Sequence, residues 1–444
     1  MTKSKERDPQ EVAPYAKHLS KVNEVKTVIA TEDIYNEQGA ILVKAGTEID
    51  KETTKRIVNF KLTKPIESSV AIEGDLNSAL LHQDFCKLIT DNKTITQMHE
   101  KFELAAPLKS LCQYYQVYPT LRQKMTVLSL QMNRVYTQSI LSSWFAILVT
   151  KQLGLEKHEV EPIFIAALTH DIGMLHIDEK VLNKRETLTP EEWRQIQAHP
   201  IIGKNILDAI PSLPKEVGIA IAEHHERSDG TGYPAGKFLP DISIAGNIVA
   251  LADSTVAVLE RLRKNKRNLR DLIPILQMNQ RAHCYQAYEA LMLTLKRSKL
   301  SSQGIVKNKE MPKYIDRQLA NISLYASWIN MIDDSIITIG FTHKNRKIHA
   351  IQNVYLNVVV TITGSGILGE NYSNFLKQAK AKGSISDFRE IEDVSLMLDE
   401  VRFHLEKLLT MMRDYVDAQA NKTGEISQSF ANAIERISAL KSKA

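Results

Sequence analysis

Six histidine and aspartate residues in the middle of this 444-residue chain each interrupt an apolar stretch that has helical spacing. A lone histidine in such a place is usually a core residue with a satisfied hydrogen bond, but here the pattern recurs along the chain. Buried histidines and carboxylates destabilise a fold unless they are paired or bound to a metal ion. The recurrence therefore predicts that these side chains meet in one site inside a helical domain. They are His170, Asp171, His199, His224, His225 and Asp253.

The chemistry of this set favours a centre with two metal ions. Imidazole nitrogens together with carboxylate oxygens suit iron, manganese or a similar divalent ion. An aspartate between two histidine-bound ions can bridge them, and adjacent histidines point in different directions, so that each can serve a different ion. Two ions about 3.5–4 Å apart can hold a hydroxide and bind a phosphodiester oxygen. The residues therefore predict phosphodiester hydrolysis with two divalent ions, Fe or Mn, as cofactors.

The composition excludes several other classes of protein. Hydrophobic residues at 43% and charged residues at 25% indicate a globular protein of more than one domain. The three cysteines lie far apart and form no Cys-x-x-Cys pair, which favours a reducing cytoplasm over a disulfide framework. No stretch approaches the roughly 18–20 apolar residues of a membrane span. With a net charge of only +5, we expect a cytoplasmic protein whose partners include neither membrane nor nucleic acid.

The first hundred residues predict a small α+β module behind a loose arm. Residues 1–20 are charged and interrupted by proline, which predicts the arm. Within residues 21–100, apolar bursts at Thr27–Ala30 and Ala40–Val43 flank turn residues and predict a hairpin. A short helix is expected from Asp50, as its N-cap, to Asn59. Because the module has no dense His, Asp or Glu cluster, we expect docking or regulation from it.

Residues 121–300 predict an all-helical domain. Apolar residues recur there at spacings of three and four, and Gly154 is placed to end the first long helix. Pro190 and Pro214 stand where the first turn of a helix accepts proline. The predicted helices are Leu121–Leu153, Glu159–Leu168, Pro190–Ala209, Pro214–His224 and Asp241–Val258.

Residues 301–444 predict a mostly helical region of unknown role. Two β-branched runs, Ser335–Ile339 and Val354–Ile362, have the composition of paired strands. A polar helical tail from Asp387 to Ala444 carries an apolar stripe, which predicts either a helical bundle or a dimerising surface. The stripe consists of Leu396, Leu398, Val401, Leu405, Leu408 and Leu409. The predicted fold class is therefore mainly α, with the small N-terminal α+β module in front.

Four sequence blocks in the central domain resemble the HD-GYP family. They are THDIG (Thr169–Gly173), AHPIIGKNIL (Ala198–Leu207), AEHHERSDGTGYPAG (Ala222–Gly236) and ALAD (Ala250–Asp253). The resemblance covers about 180 residues and implies an all-helical, metal-dependent phosphohydrolase of bacterial signalling that hydrolyses cyclic di-GMP, by way of pGpG, to GMP. It also implies that the six residues above are metal ligands, with Asp171 as the bridge that holds the nucleophilic water.

The same resemblance implies a substrate-binding set. The Gly-Tyr-Pro loop would border the substrate pocket, although a purely structural turn is the alternative. The basic cluster after Asp253 would supply cations for phosphate, although an ordinary solvated helix end is the alternative. The predicted substrate-binding residues are Asp229, Gly232, Tyr233, Pro234, Arg261, Arg263 and Lys264.

Three positions depart from the family pattern. Met174 stands where the family has a lysine after HDIG, and a thioether neither carries charge nor donates a proton. Gln138 stands at the upstream histidine position and Arg134 at the glutamate position of a third metal ion, so we expect two ions and not three. The segment after Asp253 also replaces the usual arginine-containing run.

These departures leave three hypotheses. The first is a metal-dependent cyclic di-GMP phosphodiesterase whose activity is weakened by Met174 and Gln138. The second is a catalytically impaired module that acts as a cyclic di-GMP receptor or as a protein-interaction scaffold. The third is a phosphohydrolase of another nucleotide, against which the intact Gly-Tyr-Pro loop argues. Protein partners would dock on the terminal regions, and a homodimer would form through the C-terminal helices.

Overall fold

The computed structural model describes residues 9–301, 304–340, 345–419 and 424–441, without the side chains of residues 9–13, 385 and 386. Over these residues the chain is mainly helical, with two small antiparallel strand pairs near the N-terminus. The predicted fold class is therefore confirmed.

The N-terminal part consists of five helices and four short strands within the described residues. The strands are β1 (Val28–Ala30), β2 (Ile34–Tyr35), β3 (Ile41–Val43) and β4 (Val70–Ile72), and the helices are α1 (Pro9–Asn23), α2 (Lys51–Val58), α3 (Ser78–Thr90), α4 (Lys93–Lys101) and α5 (Ala105–Tyr115). The predicted hairpin is wrong. Its two strands correspond to β1 and β3, but β1 pairs with β4 and β3 pairs with β2. Asp50 caps α2 as predicted, since its carboxylate accepts a hydrogen bond from Thr53 N.

The loose arm predicted for residues 1–20 is wrong from residue 9 onward, where α1 begins; residues 1–8 lie outside the described ranges. Tyr15, Leu19 and Val22 of this helix are fully buried. They belong to the same hydrophobic core as the central helices, which also includes Leu396 of the C-terminal part. The burial of these apolar side chains is what orders α1 despite its charged surroundings.

The central part contains ten helices among the described residues. They are α6 (Pro119–Gln131), α7 (Asn133–Leu153), α8 (Lys157–Thr169), α9 (Glu179–Leu182), α10 (Pro190–Gln197), α11 (His199–Asp208), α12 (Lys215–Glu223), α13 (Ile244–Lys264), α14 (Leu272–Met278) and α15 (Tyr285–Ser298). Gly154 ends α7 in the left-handed conformation at φ +68°, as predicted. The single helix predicted from Leu121 to Leu153 is wrong, because the chain breaks at Met132 between α6 and α7.

The helix predicted from Pro190 to Ala209 is also two helices, which meet at Ala198. Pro200 has no N–H to donate to the Ile196 carbonyl, so the α10 hydrogen-bond ladder cannot continue through it. The Nδ1 of His199 takes that carbonyl instead, at 2.7 Å. At this break the side chain of His199 therefore replaces the missing backbone donor and satisfies a carbonyl in the last turn of α10.

The C-terminal part is a bundle of five helices within the described residues. They are α16 (Met311–Ile339), α17 (Arg346–Ser365), α18 (Glu370–Lys382), α19 (Ile385–Asp417) and α20 (Glu425–Lys441). The strand prediction for Ser335–Ile339 and Val354–Ile362 is wrong, because both runs are helical, in α16 and α17. Their β-branched residues pack into a second hydrophobic core, and this packing overrides a helix propensity that is only weakly unfavourable.

The apolar stripe of the tail lies inside this chain. All six of its residues are buried, most of them in the second core, so of the two predictions for the stripe the bundle is confirmed. A homodimer through the stripe itself would need those side chains to be accessible, so any dimer has to use another surface. Within the described ranges no single helix is long and apolar enough to cross a bilayer; only α17 and α18 taken together, bent by 52°, reach that length and composition.

Candidate metal centre and substrate cavity

The predicted metal ligands come together where four packed helices converge. His170 ends α8, His199 begins α11, His224 ends α12, and Asp253 lies within α13. These helices are held together by their apolar faces, which are part of the first core. Each ligand therefore stands on a rigid element, and three of the histidines stand at helix ends where the backbone turns toward the centre.

Asp171 is the hub of the cluster. Its Oδ1 lies 3.1 Å from His199 Nε2 and 3.9 Å from His224 Nε2, while its Oδ2 lies 3.4 Å from His170 Nε2. Ligand atoms of Asp171, His199, His224 and His225 all lie within 4.8 Å of one another. The two carboxylate oxygens thus face different histidines, which is the arrangement required of a bridging ligand.

Asp253 forms the second carboxylate of the cluster. Its Oδ1 lies 3.6 Å from His170 Nε2, and its Oδ2 lies 3.9 Å from His225 Nδ1. The side chains of Asp171 and Asp253 are only 15% and 21% exposed, whereas His170, His199 and His224 are essentially inaccessible. The structure therefore brings together all six residues that the sequence singled out as ligands.

Three of the histidines have a fixed tautomer. In His170, His199 and His224, Nδ1 donates a hydrogen bond to the backbone carbonyl three residues earlier, at 2.9, 2.7 and 2.6 Å. A carbonyl only accepts, so Nδ1 carries a proton, and in the neutral ring the lone pair is then on Nε2. This is the outer hydrogen bond that metal-binding histidines usually make. All three Nε2 atoms therefore face the centre as ligands.

The donor set fits a divalent cation. The Nε2 atoms of His199 and His224 lie 3.2 Å apart, and the Nδ1 atom of each ring is already engaged with a backbone carbonyl. His170 Nε2 is buried and makes no hydrogen bond to any described residue. Nitrogen lone pairs and carboxylate oxygens that converge in this way are stabilised by a positive ion at their centre.

The electrostatics keep the ligands in their metal-binding forms. Burial, together with the neighbouring imidazoles, holds the pKa of His224 and His225 well below the ordinary histidine value, so both rings are neutral. Burial alone would raise the pKa of Asp171, but its contacts with His170 and His199 outweigh burial and hold that pKa well below the usual range. Burial would lower the pKa of His170, but Asp171 and Asp253 outweigh burial and raise it well above the ordinary value. Asp171 is therefore an ionised carboxylate, paired with His170 on one side and facing the neutral rings of His224 and His225 on the other.

The Gly-Tyr-Pro loop packs directly against the cluster. The Tyr233 ring stacks on His225 with centroids 4.6 Å apart. A Cβ on Gly232 would lie 2.4–2.5 Å from backbone atoms of residues 225–227, so only glycine allows this approach. The buried Glu226 carboxylate accepts hydrogen bonds from the N–H groups of residues 235, 236 and 237, at 2.7, 3.1 and 2.8 Å. These contacts fix the loop beside the ligands.

A cavity of about 480 Å³ opens from His225 and Asp253. We call the side formed by the central helices the inner wall; it includes His225, Arg227, Asp229, Thr231, Asp253 and Ser254. We call the opposite side, formed by the C-terminal bundle, the outer wall; it consists of Val354, Asn357, Val358 and Thr361 on α17 and Glu400, Val401, Phe403, His404 and Lys407 on α19. The cavity thus lies between the two cores of the chain.

The structure separates the predicted substrate-binding residues. Asp229 and Arg261 line the cavity, and Arg261 is paired there with Glu400 at 2.7 Å. Gly232, Tyr233 and Pro234 are not among the lining residues, although Tyr233 supports His225 from behind. Arg263 and Lys264 lie away from the cavity at the end of α13, where Arg263 donates to Asn92 Oδ1 at 2.7 Å. Arg263 and Lys264 therefore fit the alternative prediction of an ordinary helix end, and not that of phosphate-binding residues.

The departures from the family pattern have visible consequences. Arg134 is exposed and pairs with Glu260 at 2.9 Å, so it offers no ligand. Gln138 is half-buried on α7, and Met174 lies half-buried in the 3-10 turn that follows the ligands. Neither side chain offers an imidazole or a carboxylate, the donor types that form the metal-binding group.

Sequence reasoning missed five cations or imidazoles of the cavity, which are Arg227, Arg281, His283, His404 and Lys407. Arg227 stands inside the quoted block, and its guanidinium is held by Ser254 Oγ at 3.0 Å and by the carbonyls of residues 224 and 226. His283 and Lys407 also line the cavity. Arg227 was detectable from its place beside two ligands, whereas no local pattern distinguishes Lys407 from the other lysines of α19.

Comparisons with known proteins agree with this geometry. Residues 122–286 match the family model described as HD domain. The cyclic di-GMP phosphodiesterase of Thermotoga maritima is 40% identical over 119 residues, which are 27% of this chain and 32% of that protein. The cyclic di-GMP phosphodiesterase response regulator RpfG of Xanthomonas campestris pv. campestris is 42% identical over 113 residues, 25% of this chain and 30% of that protein.

A further relative is named for a different cyclic dinucleotide. The 3'3'-cGAMP-specific phosphodiesterase 3 of Vibrio cholerae is 36% identical over 106 residues, 24% of this chain and 23% of that protein. The chain thus spans about a third or less of the length of these curated relatives. The family match, the ligand cluster and the Gly-Tyr-Pro loop agree with one another: residues 122–286 match an HD domain, and within them lie the blocks whose sequence resembles the HD-GYP family.

Proposed function

We propose that this protein is a metal-dependent phosphodiesterase that hydrolyses cyclic di-GMP. The observation that carries the proposal is the buried cluster of histidine Nε2 lone pairs around the ionised Asp171, which opens into a cavity large enough for a nucleotide. The names of the Thermotoga maritima and Xanthomonas campestris relatives support the choice of substrate.

The metal-binding role falls on the six predicted ligands. Two divalent ions, iron or manganese, would be held with Asp171 between them and with Asp253 and the histidines around them. When bound, such ions supply the Lewis acidity and the activated water that attack at phosphorus requires. The ligands are His170, Asp171, His199, His224, His225 and Asp253.

The remaining inner-wall residues orient the substrate. Arg227 presents a guanidinium to the cavity from a position fixed by three hydrogen bonds, and guanidinium groups match phosphate geometry. Tyr233 and the loop held by Glu226 keep His225 in place. Water is added across one P–O bond of the ring to give linear pGpG, and a second hydrolysis gives GMP.

Turnover by the purified chain tests the proposal. Protein prepared anaerobically with Mn or Fe is incubated separately with cyclic di-GMP and with 3'3'-cGAMP, and pGpG, GMP and the other products are separated. Asp171→Asn should lower turnover at least about 10³-fold, beyond the roughly 10- to 100-fold typical of residues that only support metal ligands. Asp241→Asn, an exposed position in the same domain, is the matched control and should keep full activity.

Each contrary outcome has a definite meaning. Turnover of 3'3'-cGAMP alone would move the substrate to another cyclic dinucleotide. Binding of cyclic di-GMP without turnover by folded, metal-loaded protein would replace the enzyme by a receptor, the role that Met174 and Gln138 would favour. An Asp171→Asn protein as active as the wild type would remove the cluster from the mechanism.

A further inference from the structure

The C-terminal bundle is in direct contact with the Gly-Tyr-Pro loop. Arg346, at the start of α17, donates from Nη2 to the carbonyls of Ala235 and Gly236 at 2.8 and 2.6 Å. Lys407, on α19, donates from Nζ to Thr231 Oγ1 at 3.1 Å. Two separate helices of the bundle therefore hold the loop that borders the metal ligands, and the outer wall is a fixed part of the cavity.

Lys407 is a cation whose charge is poorly compensated. It lines the cavity, is half-buried, and donates a hydrogen bond to a hydroxyl; among the described ranges no carboxylate oxygen lies within 4 Å of its Nζ. By contrast, Arg261 in the same cavity is neutralised by the buried Glu400 at 2.7 Å. Burial lowers the pKa of Lys407, with nearby Arg227 acting in the same direction and Asp229 opposing it. An added anion would therefore stabilise this ammonium group.

The chemistry of a cyclic dinucleotide supplies that anion. Its ring contains two phosphodiester groups, and only the group that reacts can occupy the metal ligands. The other phosphodiester remains charged inside a half-enclosed cavity and needs a counter-charge. The thioether of Met174 carries no charge, and Met174 is not among the residues that line the cavity.

We propose that Lys407 of the C-terminal bundle binds the second, non-reacting phosphodiester of the substrate, so that α19 adds a phosphate contact to a cavity whose inner wall is formed by the central helices. This inference rests on the proposed function for the identity of the ligand. It gives the C-terminal region a direct role in substrate binding. Lys407 is a specificity residue for ligands with two phosphodiesters.

Lysine variants of the full chain test this role. Lys407→Met removes the charge and keeps the length of the side chain, Lys407→Arg keeps the charge, and Lys377→Met makes the same change at an exposed position of α18. Binding of cyclic di-GMP is measured by titration calorimetry in the presence of chelator, and kcat and KM are measured on the metal-loaded protein. Thermal unfolding of every variant checks that the fold is retained.

We expect Lys407→Met to weaken cyclic di-GMP binding about tenfold or more, as the loss of one charge-assisted hydrogen bond predicts. The loss should appear in KM more than in kcat. Lys407→Arg should stay within about threefold of the wild type, and Lys377→Met should match it. For GpG, which has a single phosphodiester, Lys407→Met should reduce kcat/KM by a smaller factor than for cyclic di-GMP.

Equal affinity of Lys407→Met and wild type for cyclic di-GMP would overturn the inference, and so would an equal loss for GpG and the cyclic substrate. Wild-type binding that depends on Lys407 but leads to no turnover would refute the phosphodiesterase and leave the phosphate contact standing. Turnover that does not depend on Lys407 would support the phosphodiesterase and refute the phosphate contact. If the wild type binds no cyclic di-GMP, the contact with this ligand is refuted.

Discussion

The two walls of the cavity differ in the free-energy cost of their polar side chains. In the inner wall, polar ligands interrupt apolar helices and are buried at a free-energy cost that only mutual contacts or a cation can offset. In the outer wall, polar groups such as Asn357, His404 and Lys407 stand on helices whose other faces form an ordinary bundle core. The inner wall therefore holds the chemistry, and the outer wall can vary its contacts without disturbing it.

The difference teaches why only one wall could be predicted from the sequence. A buried histidine next to an aspartate in an apolar run is improbable without a function, so the pattern is detectable residue by residue. A lysine on an amphipathic helix is what the solvated face of any helix contains. Its role depends on a contact between parts of the chain about 180 residues apart, such as Lys407 with Thr231.

The largest effect is expected from a substitution that displaces α11, the helix that begins with His199, without changing a ligand. In Gly173→Ala, the new Cβ would lie 2.1 Å from the carbonyl oxygen of His199 and 2.9 Å from Gly203 N. Helix α11 must then move, so we expect unfolding to be easier by about 3 kcal/mol and turnover to fall at least about 100-fold. Chemical denaturation, metal analysis and activity measurements check this.

The matched control for that change is Gly364→Ala in α17. A Cβ there meets no atom within 4 Å, and alanine is the better helix former, so its stability should rise by up to about 1 kcal/mol. If Gly173→Ala behaves like this control and retains its metal, the close approach of the HDIG turn to α11 does not hold His199 in place.

A medium effect, on the pH dependence of stability, is expected from His283, which lines the cavity. Burial, and then Arg227, lower its pKa from 6.5 to about 3. The unfolded chain therefore takes up a proton below pH 6.5 that the folded chain refuses until about pH 3, so stability falls as the pH drops through this window. By pH 5 the loss from this residue alone is about 2 kcal/mol.

Unfolding free energies at pH 7 and pH 5 measure this effect. His283→Gln should have a smaller difference between the two pH values than the wild type, whatever its absolute stability. His158→Gln, at an exposed position of α8, should retain the wild-type difference. A wild-type slope in His283→Gln would show that this imidazole is not kept neutral by the cavity.

The smallest effect should come from the outer wall, at Arg346. Arg346→Ala removes the hydrogen bonds to the carbonyls of Ala235 and Gly236, but the guanidinium is exposed and water can replace it. We expect a loss of stability below about 1 kcal/mol and a two- to fivefold increase in KM, because the loop is held less firmly. Arg402→Ala, exposed on α19, is the control. An effect as large as that of Gly173→Ala would mean that the two walls are not independent.

The fold errors have the same origin as the missed lysine. Val354–Ile362 was predicted as a strand because β-branched residues favour strands, but Val354, Val358 and Ile362 are spaced for one helical face and bury that face in the second core. The break between α10 and α11 was missed although Pro200 is visible in the sequence. Long-range packing decides the first case, and an available side-chain partner for a carbonyl, His199, decides the second.

The carbonyl contacts of the histidines have one more consequence, which concerns entropy. Each Nδ1 proton is already bound to a helix carbonyl three residues earlier in the chain, so the rotamers of His170, His199 and His224 are set when the chain folds. Immobilising a side chain on binding typically costs about 0.5–1.5 kcal/mol. Here that ordering accompanies folding, and a metal ion entering the centre meets a preorganised set of lone pairs.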